Sequence, residues 1–328
     1  MNPGPAGRQF GEGTVSKGGD PHHKIKRSVA AARRPQPAIG TAALDILPSQ
    51  ALQNNDKKRR EEDAMQVTGK VVVVTGGGNG IGRAMCEAFH RAGAAKVVVA
   101  DIDANATRAV AGAIGGAAFK CDVGKEADIV HVIEETERQF GPIALFCSNA
   151  GIGGGFDPLS VNAGGDSDEP WQRSWAIHVM AHVYAARHLV PRYKARGGGY
   201  FLNTISAAGL LSQVGSPAYS TTKHAAVGFA ENLAISHKAD NIGVSILCPQ
   251  GVDTNMLRSI PKGPQSGDGD LSPEQVARDV LAGLEQETFV ILPHPQVLGY
   301  MRWKTDDYDR WITGMARIQA KMRETYGK

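Results

Sequence analysis

Lys70-Val-Val-Val-Val-Thr-Gly-Gly-Gly-Asn-Gly-Ile-Gly82 is the stretch whose reading decides the fold. Four consecutive valines form a short, β-branched, wholly apolar run. That is the pattern of a strand buried on both faces, as in a parallel sheet. Glycines stand at Gly76, Gly77, Gly78, Gly80 and Gly82, and the next residues carry Ala84, Met85, Ala88 and Phe89 at helical spacing. A strand, a glycine turn and a helix start bring backbone N–H groups and a helix N-terminus toward a pyrophosphate. Glycines alone would mark only a turn; their order here, between strand and helix, favours a dinucleotide.

After Thr75 the spacing is Gly76-x-x-x-Gly80-x-Gly82, with Asn79 and Ile81 inside it. This differs from G-x-G-x-x-G and resembles the T-G-x-x-x-G-[IL]-G turn of the short-chain dehydrogenase/reductase family. The resemblance implies an α/β, Rossmann-type, doubly wound parallel sheet of about seven strands. The alternation of apolar runs and helical stretches points the same way, to βαβ units in the strand order 3-2-1-4.

The second apolar run, Lys96–Asp101, ends in an acid about 20 residues beyond the turn, where a carboxylate can accept the adenosine ribose hydroxyls. A 2′-phosphate there would meet a like charge. No Arg or Lys follows directly, since the next residue is Ile102, and Asn79 is uncharged. NAD is therefore expected over NADP. The plainer reading of Asp101 is a cap on the following helix.

Ala117–Cys121 reads as a third strand, followed by Asp122 and Val123, and Pro142–Ser148 as a fourth, followed by Asn149-Ala150-Gly151. The resemblance implies that Asp122 and Val123 contact adenine, that Asn149 braces the sheet, and that Ala150 and Gly151 pass close to the cofactor. Asp122 also reads as an N-cap for a helix over Glu126–Gln139.

Tyr200–Ile205 reads as strand 5, with Ser206 at its end, and Pro217-Ala-Tyr219-Ser-Thr-Thr-Lys223 opens a helix. Four residues apart, Tyr219 and Lys223 share one helix face. A tyrosine titrating near 10 is too weak a base at neutral pH, and a nearby ammonium would lower its pKa. Ser206 precedes Tyr219 by thirteen residues, the family's distance for its serine. The resemblance makes Tyr219 the acid/base, Lys223 its tuner and ribose ligand, and Ser206 the holder of the substrate oxygen. A lone Tyr-x-x-x-Lys would be a surface pair; here it comes with the turn, Asp101 and Asn149.

Gly243–Cys248 reads as strand 6, and Pro249-Gln-Gly251-Val252-Asp-Thr254 resembles the family's P-G-x-x-x-T stretch, with Gln250 inserted. It implies nicotinamide contacts from Val252 and Thr254. Phe289–Leu292 is the last strand. Two loops, Gly153–Pro170 and Arg258–Leu271, are expected at the substrate mouth, the second as a mobile lid. Trp171–Arg196 reads as one helix, or two broken near Pro191. Seven residues after Trp171, where the family usually has an asparagine that holds a relay water, stands His178. His178 reads as a substitute in that proton relay, as a buried structural histidine, or as the mark of an impaired enzyme.

The remaining features set bounds. The chain has 328 residues, 42% hydrophobic, with a formal charge of +3, too small to argue for nucleic acid or a membrane surface. Residues 1–64 hold 11 Lys and Arg against 7 Asp and Glu, a formal +4, while the rest holds 25 against 26. That segment is expected to be a disordered extension with a solvated charge cluster, possible upstream sequence ahead of a start at Met65, and the domain to span 65–328. Cys86, Cys121, Cys147 and Cys248 are far apart and read as buried thiols of a reducing compartment, not a disulfide frame or metal site. No apolar run reaches the roughly 18 residues needed to span a bilayer, so a cytoplasmic protein is expected. The aromatic tail from Gln296 reads as packing or a subunit contact, and only weakly as substrate wall. The helices Trp171–Arg196 and Pro217–Lys238 carry surplus apolar surface, and the resemblance implies a homodimer or homotetramer through them. The expected function is NAD(H)-dependent interconversion of a small-molecule alcohol and its ketone or aldehyde. A nucleotide-binding regulatory protein without turnover, and an epimerase or dehydratase on the same fold, are the alternatives.

Overall fold

The computed structural model describes residues 65–159, 167–260 and 263–327. The expected N-terminal extension, and part of each loop at the expected substrate mouth, lie outside the described residues.

Seven strands form one parallel sheet in the order β3-β2-β1-β4-β5-β6-β7. They are β1 (Val71–Thr75), β2 (Lys96–Asp101), β3 (Ala117–Lys120), β4 (Ile143–Ser148), β5 (Gly199–Thr204), β6 (Ile242–Leu247) and β7 (Val290–Ile291). The helices around them are α1 (Gly80–Arg91), α2 (Ala104–Ala113), α3 (Glu126–Phe140), α4 (Glu169–Trp175), α5 (Ala181–Ala195), α6 (Ala208–Leu211), α7 (Pro217–Ser236), α8 (Asn255–Arg258), α9 (Pro273–Glu285), α10 (Gln296–Asp306) and α11 (Tyr308–Tyr326).

The valine run sorts itself between two apolar layers, because successive strand residues face opposite sides. Val72 and Val74 pack with Met85 and Phe89 of α1 and with Val276, Val280 and Leu284 of α9. Val73 packs on the other face with Ile129 and Ile133 of α3, Leu189 of α5 and Ala226 and Ala230 of α7. Helices thus cover both faces, as a wholly parallel sheet requires. All four cysteines are free and buried. Among the described residues, no helix is long and apolar enough to cross a membrane.

Three local readings are corrected. The stretch after the β4 loop begins its helix at Glu169, with Pro170 in the first turn, two residues before Trp171. It does not break at Pro191, which lies inside α5. The irregularity is a π turn over Ala176–Met180, between α4 and α5, centred on His178. Finally, Asp122 does not cap α3: the N-cap position is Lys125, while the Asp122 carboxylate accepts the Gly124 N–H at 3.1 Å.

Candidate active site

The C-terminal ends of β1, β4, β5 and β6 open into one cavity of about 1190 Å³. The switch in strand order between β1 and β4 places it where open α/β sheets bind ligands. Every residue expected to hold cofactor or substrate lines it, from Gly76 to Thr254, with the exception of His178.

The glycine turn is shaped by close approach. A Cβ on Gly76, where φ is +63°, would stand 2.7 Å from Ala150 Cα, and one on Gly82 would stand 2.1 Å from the Gly76 carbonyl oxygen. No other residue fits between strand, turn and helix at these places. The Asp101 carboxylate accepts the Gly78 N–H at 3.0 Å and the Asp103 N–H at 3.0 Å. Both of its oxygens retain lone pairs, and the carboxylate faces the cavity at the turn. Capping of α2 is done by Asp103, which accepts from Asn105 and Ala106. Asp101 is therefore not the cap.

Asn149 knits three strands. Its Nδ2 donates to the Thr75 carbonyl at 3.1 Å, and its Oδ1 accepts the Thr204 hydroxyl at 2.9 Å. The Thr75 hydroxyl oxygen in turn accepts the Asn149 N–H at 2.9 Å. Thr75 and Thr204 thus hold the shape of the site, though a strand-end threonine carries no signal of its own in a sequence.

At the far end stand Ser206, Tyr219 and Lys223. Ser206 follows β5 at φ +156°, a backbone region that residues with side chains rarely adopt and that clusters at functional sites. Its Oγ accepts the Ala208 N–H at 3.1 Å. Lys223 is buried, with Nζ donating to the Thr204 carbonyl at 3.3 Å and lying 5.6 Å from the Tyr219 ring centre. Burial pulls the Lys223 ammonium from 10.5 down to about 8. Burial also raises the half-buried Tyr219 phenol above 10, and a hydrogen bond with the Ser206 side chain pulls it partway back. The Lys223 ammonium lies toward the ring.

His178 stands behind that triad, fully buried and edge-on to the Tyr219 ring at 5.4 Å. Its Nδ1 is 3.0 Å from Thr222 Oγ1, and its Nε2 is 3.1 Å from the Ile152 nitrogen and 3.0 Å from the Ile152 carbonyl oxygen. Thr222 donates its hydroxyl proton to the Ala218 carbonyl at 2.8 Å. The Thr222 oxygen thus faces Nδ1 and both backbone groups of Ile152 face Nε2, the ring's tautomer setting which of these contacts donates. Burial, and secondly the Lys223 charge, hold this imidazole well below its usual pKa. One turn further, His182 is buried with no protein partner at either ring nitrogen, and burial lowers it to about 3.

Two further features differ in weight from the sequence reading. Tyr300 and Trp303 of α10, and Trp311, Met315 and Ile318 of α11, line the cavity, so the aromatic tail is a wall and not only packing. The end of the expected lid is also tied down: Leu271 N–H donates to the Gly251 carbonyl at 3.0 Å, and Asp253 N–H to the Leu271 carbonyl at 2.9 Å.

A family profile described as short chain dehydrogenase matches residues 70–265. The 1-deoxy-11-beta-hydroxypentalenate dehydrogenase of Streptomyces exfoliatus is 32% identical over 257 residues, 76% of this chain and 92% of that protein. A short chain dehydrogenase/reductase from Burkholderia phymatum, solved in complex with NAD, superposes with a TM-score of 0.66 at 27% identity, over 75% of this chain and 96% of that one. A 3-ketoacyl-(acyl-carrier-protein) reductase from Brucella melitensis, solved with NADH, gives 0.63 at 28% identity, over 69% and 96%. This chain belongs to the short-chain dehydrogenase/reductase family, and with it to the nucleotide-binding oxidoreductases.

Proposed function

We propose that this protein is an NAD(H)-dependent dehydrogenase that interconverts an alcohol and its ketone or aldehyde. The observation that carries the reading is the meeting, in one cavity, of the glycine turn and Asp101 at one end with Ser206, Tyr219 and Lys223 at the other. The residues fit a dinucleotide. A Cβ on Gly77 or Gly78 would stand 2.9 Å from its nearest neighbour, and one on Gly80 3.0 Å from Thr254 Cγ2, so the turn lies bare where a pyrophosphate would approach. Gly76, Asn79, Gly80, Ile81 and Gly82 would hold its pyrophosphate, Asp101 and Ile102 its adenosine ribose, and Asp122 and Val123 its adenine. Asn149, Ala150, Gly151, Lys223, Pro249, Gly251, Val252 and Thr254 would surround the nicotinamide ribose and ring. Among the described residues, the Arg and Lys lining the cavity are Arg173, Lys223, Arg310 and Arg317, and none flanks Asp101 in the chain. That supports NAD over NADP.

A bound nicotinamide supplies the hydride chemistry. The protein supplies position and a proton path. In oxidation the alcohol would become its carbonyl compound, the bound nicotinamide taking up the hydride and Tyr219, in its basic form, the proton from the alcohol oxygen. Ser206 Oγ would fix the oxygen beside the phenol. Lys223 would draw the phenol toward its basic form and carry the proton onward. His178 is the proposed substitute for the family's asparagine. As a neutral imidazole it would serve by holding Ile152 and Thr222, and with them the loop after β4 and the start of α7. A homodimer or homotetramer is the proposed assembly.

The deciding experiment is a screen of alcohols with NAD, read by NADH absorbance. Turnover that disappears in Tyr219→Phe supports the reading. NADH binding without turnover of any alcohol, or reduction of any carbonyl, overturns it.

A further inference from the structure

The C-terminal hairpin is fastened over the reacting end of the cavity from three sides. Tyr300 OH of α10 donates to Asp268 Oδ1 at 3.0 Å, in the segment that runs to β6's nicotinamide loop. Lys304 Nζ donates to the Leu210 carbonyl at 2.8 Å, in α6 just beyond Ser206. Gln319 Nε2 of α11 donates to the Pro158 carbonyl at 2.7 Å, in the loop after β4. Nearby, Tyr326 meets the Phe156 ring edge-on at 5.8 Å, and Met322 packs where Gly215 leaves room. Each fastening reaches a different segment that also lines the cavity.

The hairpin nevertheless buries almost nothing of itself in the protein. Val297 is the one buried residue of α10, and Met322 of α11. Trp311, Met315 and Ile318 recur at the spacing of one helix face, and all three line the cavity while only partly covered. Trp311 packs against Ala207, Leu211 and Val297, and Phe156, Met256 and Ile260 line the same cavity. The polar groups on this wall are largely spoken for: Gln213 Nε2 donates to Gln265 Oε1 at 3.2 Å, and Asp268 accepts from Tyr300. Arg310 and Arg317 are exposed at the rim. The cavity, at about 1190 Å³, exceeds the roughly 300–1,000 Å³ of an ordinary single-ligand pocket. It therefore has room for a second body beside a dinucleotide.

We infer that the α10–α11 hairpin is the specificity element, and that the substrate is a bulky, mainly apolar alcohol of fused-ring size, or its carbonyl form. Its hydroxyl-bearing carbon sits at Ser206 and Tyr219, and its hydrocarbon body lies along Trp311, Met315 and Ile318. The inference rests on the alcohol-dehydrogenase reading of the same site. The apolar stripe selects by area, since each buried methylene adds roughly 0.8 kcal/mol, about fourfold in affinity.

The test compares cyclohexanol, decahydro-2-naphthol and a 3-hydroxysteroid. Calorimetric titration of each into NADH-saturated protein, a pairing in which no hydride can move, should give affinity rising at least about tenfold from one ring to two. With NAD, kcat/KM should rise in the same order. Trp311→Ala and Met315→Ala should raise KM for the two larger alcohols by about tenfold or more with kcat nearly kept and NADH affinity intact. Ile312→Ser, on the outer face of the same helix and 60% exposed, should change none of these. Equal or better binding of cyclohexanol, or insensitivity of the larger alcohols to Trp311→Ala, overturns the substrate class and leaves the dehydrogenase reading standing. Size-ordered binding without turnover of any of the three sustains the pocket and counts against the dehydrogenase reading instead.

Discussion

His178 Nδ1 lies 3.0 Å from the hydroxyl oxygen of Thr222, the residue before Lys223 in the chain. One imidazole therefore links the loop after β4, through Ile152, to the first turns of the helix that carries Tyr219 and Lys223. The π turn at Ala176–Met180 is centred on this residue, and such turns are frequent at functional sites. His178→Leu would leave Thr222 and the Ile152 N–H without that partner, at a cost of about 1–3 kcal/mol. A shift of the catalytic pair by about an ångström can lower turnover by about a hundredfold. The expected outcome is a large loss of kcat with NADH affinity kept, while His178→Asn retains activity. Because the imidazole stays neutral, neither variant should remove an ionisation near pH 6.5 from the rate profile. A fully active His178→Leu would take His178 out of the mechanism.

Cofactor choice is expected to rest on Asp101. Its carboxylate is held at the turn by the Gly78 and Asp103 N–H groups, where a 2′-phosphate would meet a like charge. Asp101→Ser with Ile102→Arg should move the kcat/KM ratio toward NADP by about a hundredfold. Unmutated protein that already prefers NADP in paired measurements would refute the argument.

Tyr219→Phe should lower kcat by about 10²–10⁴, the usual share of a positioned proton donor, and leave NADH binding nearly unchanged. Lys223→Ala should weaken both, since this buried ammonium reaches the Thr204 carbonyl and borders the cavity. Equal loss of NADH binding in the Phe variant would mark Tyr219 as structural.

The sheet was legible because its strands announce themselves. Val71–Val74 is apolar without interruption, which only a strand covered on both faces tolerates, and Asp101 marks a strand end by its charge. The Tyr219–Lys223 pair was legible because its spacing came with the glycine turn, Asp101 and Asn149. Other features leave no such trace. The π turn at His178 changes hydrogen-bond pattern but keeps a helical run of residues, so the eye moves the break to Pro191. Asp122 looked like a cap because Asp often is one, yet its carboxylate is spent on Gly124. Trp311, Met315 and Ile318 form an apolar stripe that reads the same whether it faces a core, a partner or a cavity. The balance of burial against charge at Tyr219 depends on where Lys223 Nζ points, which spacing does not fix.

Assembly is expected to be a homodimer or homotetramer through the outer faces of the α4–α5 stretch and α7. Trp175 is 46% and Ile235 78% exposed on these elements, so both are open to a contact through that face. Ile235→Glu should shift the sedimentation profile toward smaller species at micromolar concentration. A monomer before mutation would refute the expectation.

Acid should destabilise this protein earlier than its carboxylates alone would allow. In the unfolded chain each imidazole takes a proton as pH falls through about 6.5. In the folded protein His182 resists protonation down to about 3, and His178 and His224 are shifted the same way, each chiefly by burial. Between those values the unfolded state binds more protons than the folded one, so stability rises with pH and is lost as pH drops below 6.5. Each fully resisting group adds a slope of about 1.4 kcal/mol per pH unit. Carboxylates such as Glu137 enter lower down. Burial raises its pKa, but hydrogen bonds from Arg196 and Arg192 outweigh that and set it below 4.5. Urea unfolding between pH 6.5 and about 5.5, above the range in which unfolded carboxylates take up protons, therefore isolates the histidines. His182→Leu, which exchanges an unpartnered ring for an apolar side chain, should reduce the slope in that window by about one proton and cost little stability at pH 8. An unchanged slope would show that His182 takes up its proton in the folded protein as readily as in the unfolded chain.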